Sequence, residues 1–344
     1  MPLLAVLADD TTGAFEIASL AVGAGISTAI SLDRPDAGTD AVVCDTQTRH
    51  VDPPGAAHRI QQLVHGLHSR WIYKKTDSTL RGPITAELEA LQAARPTQPL
   101  VYVPAYPAMG RTTRHGILYV NGVPVSESEF RDDPDEPILD SSVLHLLPGS
   151  RAVDTDELED ALARGATRLV CDAETEGDLE SIASTVVRVA PEALIAGPAG
   201  FARHWFPKLP LHRRPKPPYP PLGALLVVCG SLHPVSRAQA ETAAAYGEIV
   251  LQTSNRPEAD SLAILAEQVL RREANSIFVF GGDTLRTLLD ALECVQLEPL
   301  NEILPGIPCA IAKLPRRRIL LISKAGGFGG KDIVRQIRDS LEAE

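Results

Sequence analysis

No apolar run in the chain approaches the ~20 residues that a membrane-spanning helix needs. The opening MPLLAVLADD lacks the basic head of a signal peptide and turns acidic at Asp9, so it reads as a first strand. Cysteine is scarce and scattered. Cys44, Cys171, Cys229, Cys294 and Cys309 show no paired metal spacing, and an odd, dispersed set fits buried thiols in a reducing cytosol. The expected location is cytoplasmic. Positive charge is in deficit, with 33 Lys and Arg against 44 Asp and Glu and a net charge of −11, so no nucleic acid and no anionic membrane is expected as the main partner. A small acidic substrate stays open, because a local cluster of cations outweighs a diffuse field of the opposite sign.

What is present is an alternation of short apolar runs with helical spacing, over 344 residues, which exceeds one average domain. Strands are expected at 3–7, 27–32, 41–44, 71–73, 100–103, 168–171 and 193–196, with helices over 53–67, from 84 onward, and over 155–163 and 179–189. Asn121-Gly122, inside the alternating stretch 117–125, marks a hairpin. The run 207–221 carries seven prolines and can continue neither a helix nor a central strand. Beyond it the pattern restarts, with strands at 224–229, 249–252, 277–280 and 319–323 and helices over 235–246, 262–270 and 285–292. The expected fold class is α/β: two α/β domains with mainly parallel sheets, 1–206 and 222–344, joined by a proline-rich linker, 207–221.

Polar knots follow several of these strands. In WIYKKTDSTLRGPITAELE, 71–89, an apolar run stops in Lys74, Lys75, Asp77, Ser78, Thr79, Arg81 and Gly82, at the strand end where open parallel sheets bind ligands. Cations beside hydroxyls suit an anionic, hydroxylated small molecule. The plainer alternative is a solvated loop in which Asp77 and Ser78 cap the next helix. The first strand ends in Asp9 and Asp10, which could hold a metal, act as a base or grip hydroxyls, or of which one could simply cap a helix. Adjacent carboxylates repel, and a structural turn needs only one of them. Another cluster, Asp45 to Arg49, follows the third strand. Pro104 and Pro107 stiffen the loop before Arg111, whose fork suits a carboxylate or phosphate unless it is an ordinary surface arginine. Gly197-Pro198-Ala199-Gly200 closes a strand and reads as a plain turn, the alternative being glycines that let a ligand approach.

In the second half, glycine turns follow three strands: Gly230-Ser231, Gly281-Gly282-Asp283-Thr284, and Lys324 to Asp332 through Gly326 and Gly327. Bare backbone N–H groups at the start of a helix make an anion cradle. Neither standard loop pattern is met: a Walker loop would need glycine at 325 and Ser or Thr at 332, where Ala325 and Asp332 stand, and a dinucleotide fingerprint from Gly327 would need glycine at 332. Nucleotide or phosphate binding is the functional reading; turns without a ligand are the alternative.

LADDTTGA (7–14), KKTDSTLRG (74–82), VPAYPAMGRTT with LYVNGVPVSE (103–127), GPAG (197–200), CGSLHP (229–234), FGGDT (280–284) and SKAGGFGG (323–330) together resemble the four-carbon acid sugar kinase family, in order and over nearly the whole chain. The resemblance implies a sugar-acid-binding N-terminal domain, a nucleotide-binding C-terminal domain, ATP as donor and the terminal hydroxyl of a tetronate-type acid as acceptor. It puts Asp9, Asp10, Lys75, Asp77, Ser78, Arg81 and Arg111 toward the sugar acid. Ser231, Gly281, Gly282, Asp283, Thr284, Gly326 and Gly327 would hold ATP with Mg²⁺, and Lys324 would neutralise charge on the γ-phosphate. Asp10 or Asp77 would orient or deprotonate the attacking hydroxyl. This chain departs from the family in Glu16, where an Asp is usual, in Thr11, where a branched or aromatic residue is usual, in Pro83, where Asn is common, and in a short stretch between the Ser231 and Gly281 turns. A homodimer is left open, as is a non-catalytic sensor of sugar acid or nucleotide with the same fold.

Overall fold

The computed structural model describes residues 2–31, 38–133, 136–231, 233–252, 267, 274–294, 296–325 and 327–342. The first half supplies β1 (Leu4–Ala8), β2 (Thr28–Ser31), β3 (Ala41–Asp45), β4 (Trp71–Lys75), β5 (Leu100–Tyr102), β6 (Arg111–Arg114), β7 (Ile117–Val120), β8 (Val123–Pro124), β9 (Arg151–Val153), β10 (Arg168–Cys171) and β11 (Leu194–Gly197). The second supplies β12 (Leu225–Cys229), β13 (Ile249–Gln252), β14 (Ser276–Phe280), β15 (Gln296–Pro299), β16 (Cys309–Lys313) and β17 (Arg318–Lys324). Strands β1, β3, β4, β12 and β14 are buried along their whole length. Continuous apolar runs take that place in a parallel sheet covered on both faces.

The two halves form one sheet. Its order among the described residues is β13-β12-β14-β17-β16-β15-β2-β3-β1-β4-β11-β5-β10-β9. Within the first half all pairings in this sheet are parallel; β15 and β16 reverse the direction, and β15 meets β2 antiparallel at the single pair Leu297↔Ile30. The helix Thr11–Gly23 runs beneath this seam. Eleven of its thirteen residues are buried, as expected for a helix apolar all round. Ser19 donates to the carbonyl of Cys309 at 3.4 Å, and a Cβ on Gly23 would lie 2.5 Å from Asn301 Oδ1, so this first-half helix packs directly against the second half.

The hairpin β7–β8 turns at Asn121 (φ 51°) and Gly122 (φ 83°), the positive-φ pair a tight two-residue hairpin needs. One expectation is corrected: Pro198 does not close a plain turn but opens the helix Ala199–Trp205, a position where proline's missing N–H costs nothing. Residues 210–223 form neither helix nor strand, yet they are strapped to both halves. Arg214 N–H donates to Gly25 O at 2.7 Å and Tyr219 Oη donates to Glu302 O at 2.7 Å. The helix expected over 262–270 falls, apart from residue 267, outside the described residues.

Candidate active site

Strand register decides what meets at the C-terminal edge of the first half. Ala8 on β1 is level with Asp45 on one side and Lys75 on the other, so the segments after β1, β3 and β4 leave the sheet together. Arg49, from the segment after β3, sits among the acids. Its Nε and Nη2 donate to Asp9 Oδ2 at 2.9 and 2.7 Å, its Nη1 donates to Asp10 Oδ2 at 2.8 Å, and Nη2 lies 3.6 Å from Asp77 Oδ2. One buried guanidinium thus removes the mutual repulsion of three carboxylates. Burial pushes the Asp9 carboxyl up, but Arg49, Lys75 and Lys74 outweigh it and its pKa falls below the usual range. Asp9 Oδ1 is buried without a hydrogen-bond partner and lies 3.9 Å from Lys75 Nζ.

The three acids differ in what they have left to offer. Asp77 Oδ1 accepts from the N–H and hydroxyl of Thr79 at 2.8 and 2.5 Å, and Asp77 Oδ2 accepts from Arg81 Nη2 at 2.8 Å. Although burial raises its pKa, Arg81 and Arg49 hold it well below the ordinary value. Asp10 caps the Thr11–Gly23 helix through Oδ1, which accepts from Gly13 N–H at 2.9 Å. Its side chain is nevertheless 22% exposed against 2% for Asp9 and 6% for Asp77, so Asp10 is the acid of the three that reaches open space. Gly13 makes this packing workable: a Cβ there would lie 2.6 Å from Asp10 Oδ1 and 2.7 Å from Lys75 Nζ.

Lys74 points to the other face of the sheet, where its ammonium pairs at 3.0 Å with Glu87, both side chains being buried. Ser78 is half-buried in the turn. Arg81 also reaches Asp133 at 3.2 Å. The guanidinium carbons of Arg81 and Arg111 stand 5.7 and 5.6 Å from the ring centre of Phe130, and Arg111 Nε is buried without a hydrogen-bond partner.

From the second half, Gly281 (φ 106°) precedes the helix Gly282–Ala291, whose first residue lies beside Thr12 and Asp10. A Cβ on Gly282 would lie 2.6 Å from Thr12 Oγ1 and 3.5 Å from Asp10 Oδ2. On the same helix, Arg286 Nη1 lies 4.0 Å from Asp45 Oδ2, which also accepts from Thr11 and Gln47 at 2.7 and 2.6 Å. Burial pushes the Asp45 carboxyl up to about 6. Asp283 is exposed, Thr284 is buried against Gly230, and Ser231 Oγ accepts from His233 N–H at 3.2 Å. The ring of His233 in turn lies 3.1 Å from where a Cβ on Gly327 would sit. Gly326 lies outside the described residues. Lys324 is fully buried, its ammonium donating to Ser236 Oγ and Ala325 O at 3.1 Å over the Phe280 ring, and burial lowers its pKa to about 8.

Two residues central to this arrangement are not among the sequence candidates. Arg49 was legible only as part of a polar cluster. Gln239, fully buried on the helix Pro234–Ala245, donates through Nε2 to the carbonyls of Phe328, Gly329 and Gly330 at 2.8, 2.8 and 3.0 Å and so clamps the glycine turn. A glutamine amid alanines is the available sequence signal, and a weak one.

Two family models match the chain. Residues 4–205 match the model of a sugar-binding N-terminal domain, and residues 251–334 that of a nucleotide-binding C-terminal domain. A D-threonate kinase of Cupriavidus necator is 30% identical, with 95% of each chain covered. The chain belongs to the four-carbon acid sugar kinase family. Another relative of this sugar kinase homologue is a 3-oxo-tetronate kinase of Methylobacterium radiotolerans, 25% identical over 98% of this chain and 99% of that one. Among solved structures, one from Salmonella typhimurium LT2 shares the fold with a TM-score of 0.77 at 22% identity, covering 97% of this chain and 98% of that one. A second, from Bordetella bronchiseptica, described as a domain-swapped dimer with bound citrate, has a TM-score of 0.57 at 25% identity and covers 99% and 98%. Among the described residues of the kinase, no helix is long and apolar enough to cross a membrane.

Proposed function

We propose that the protein is an ATP-dependent kinase that phosphorylates a hydroxyl of a small, tetronate-type sugar acid. The observation that carries this reading is the approach of Gly282, at a helix start of the nucleotide half, to Asp10 and Thr12 of the acid half. Phosphoryl transfer asks a protein mainly for positioning and charge stabilisation, and a helix start beside a carboxylate offers both. Residues 1–206 act as the sugar-acid domain, 207–221 as the linker and 222–344 as the nucleotide domain.

Lys75, Arg81 and Arg111, with Ser78, hold the substrate carboxylate and hydroxyls; the unpartnered Nε of Arg111 is a donor awaiting one. Asp10, the most exposed of the three acids, takes the hydroxyl proton as the substrate oxygen attacks the γ-phosphorus and the bond from that phosphorus to the β,γ-bridging oxygen breaks, releasing ADP. Asp9 and Asp77, held by Arg49 and Arg81, orient rather than transfer. Ser231 and the turn through Gly281, Gly282 and Thr284 cradle the triphosphate, with Gly327 beside His233. Lys324 lends charge from below that turn rather than direct contact, because its ammonium is buried.

Mg²⁺ carried on a triphosphate needs only one or two protein carboxylates. Exposed Asp283 fits that requirement, and the ion would neutralise charge on the β- and γ-oxygens. Cytoplasmic location and a homodimer belong to the same proposal, the latter supported by the dimeric Bordetella structure.

ADP release is the test, measured with ATP, Mg²⁺ and a panel of tetronates. Release that depends on the acid, and that Asp10→Asn lowers by about 10²-fold or more, is expected. Tight binding of acid and nucleotide without any turnover would instead establish the sensor.

A further inference from the structure

A contiguous chain of contacts joins the arginine that grips the acid to the glycine turn that faces the nucleotide, and it crosses the seam between the halves away from the reacting groups. Tyr106 is paired back to back with Arg111 through two backbone hydrogen bonds, N–H to Arg111 O at 2.7 Å and O from Arg111 N–H at 3.0 Å. Its hydroxyl donates to Glu16 at 3.2 Å. Its ring is pressed onto the helix Ala199–Trp205, where a Cβ on Gly200 would lie 2.5 Å from it.

On that helix Arg203 Nη2 reaches across to Glu302 Oε2 at 2.7 Å, and the Glu302 side chain is only 7% exposed. Glu302 Oε1 accepts from the N–H of Gly306 at 2.9 Å. Gly306, at φ 74°, supports the ring of Phe328, which belongs to the glycine turn itself; any side chain at 306 would collide with that ring. Each link is a hydrogen bond or direct packing, and the Glu302 carboxylate touches both sides, Arg203 through Oε2 and Gly306 through Oε1.

We propose that Arg203 and Glu302 are positioning residues that couple the two ligand sites, so that seating the sugar acid against Arg111 sets the glycine turn around Phe328 and the two substrates bind cooperatively. This rests on the reading given under Proposed function. Neither residue touches substrate. Coupling between sites is reciprocal, so the acid must tighten nucleotide binding by the same factor as the nucleotide tightens acid binding.

The experiment is calorimetric titration of the full-length protein with a non-hydrolysable ATP analogue and Mg²⁺, with and without the acid that the wild type binds best from a panel of D-threonate, D-erythronate and 3-oxo-tetronate. The wild type is expected to bind the analogue at least about 5-fold more tightly with the acid present. In Arg203→Met and Glu302→Gln this ratio falls toward one while each ligand alone binds as before, and Arg203→Lys, which keeps the ion pair, restores it. A purely structural role would lower the melting temperature and leave the ratio unchanged. A wild-type ratio of one, or an undiminished ratio in both variants, overturns the coupling alone. Failure of the wild type to bind any of these ligands overturns the functional reading beneath it. Should Arg203→Met not fold, Glu302→Gln carries the test, since glutamine can still accept from Gly306 N–H.

Discussion

Replacing Arg49 by methionine tests the core of the acid half. Its guanidinium is 13% exposed and spans Asp9, Asp10 and Asp77. Methionine keeps much of the volume but leaves Asp9 with only Lys75, 3.9 Å away, and leaves Asp77 to Arg81. Breaking a buried ion pair from one side costs about 3–5 kcal/mol, because the abandoned charge stays buried. For a unit of this size each kcal/mol lowers Tm by about 2–4 °C, so the variant should melt about 6–20 °C below the wild type at pH 7 by scanning calorimetry. The gap should depend on pH. Asp77 and Asp9 have folded pKa values below the ordinary aspartate value of 3.8, so the stability they contribute is present above that value and is lost as pH falls through the folded values. The difference between the proteins should therefore be largest near neutrality and shrink below about pH 4. A Tm change under about 2 °C at pH 7 would refute the view that Arg49 organises the acids.

Gly13→Ala puts a methyl 2.6 Å from Asp10 Oδ1 and 2.7 Å from Lys75 Nζ and should displace both, lowering kcat and raising KM for the acid several-fold with little change in KM for ATP; a rise in KM for ATP alone in steady-state kinetics would contradict the roles given to Asp10 and Lys75. Gln239→Leu strips a donor from three carbonyls of the glycine turn and should raise KM for ATP by about 5-fold or more while sparing the acid; equal effects on both substrates would argue for general loosening. Glu16 is pushed up by burial from 4.5 to about 7, so its contribution to stability is complete below 4.5 and lost as pH rises through 7. Glu16→Gln should flatten that part of the Tm-against-pH profile, and an unchanged slope between pH 5 and about 8 would show that another group titrates there.

Strand and turn chemistry were readable because each rests on local rules. The buried runs of β1 and β12 are continuous and apolar, Asn121-Gly122 dictates its turn, and Pro53 opens the helix Pro53–Gly66. What the sequence hid is relational. QLEP of β15 is short and mixed, and its partner is chosen by Ile30 some 267 positions away, so the fusion of two sheets into one has no local signature. Asp9 and Asp10 were visible as a pair needing relief from repulsion, but nothing near them in sequence says that Arg49 provides it. Lys324 was legible as a cation beside glycines, whereas its depth under the turn depends on Phe280 and Ser236. Pro198 was misread because a Gly-Pro-Ala-Gly run signals a turn equally well when it starts a helix.

The most direct measurement of the central claim follows the phosphorus atom itself. In ³¹P NMR of the protein with ATP, Mg²⁺ and the tetronate panel, the γ-phosphate signal should disappear as a phosphomonoester signal coupled to carbon-bound protons of the acid grows in equal amount, and Asp10→Asn should suppress both changes. Appearance of inorganic phosphate alone, at a rate indifferent to which acid is present, would contradict the account.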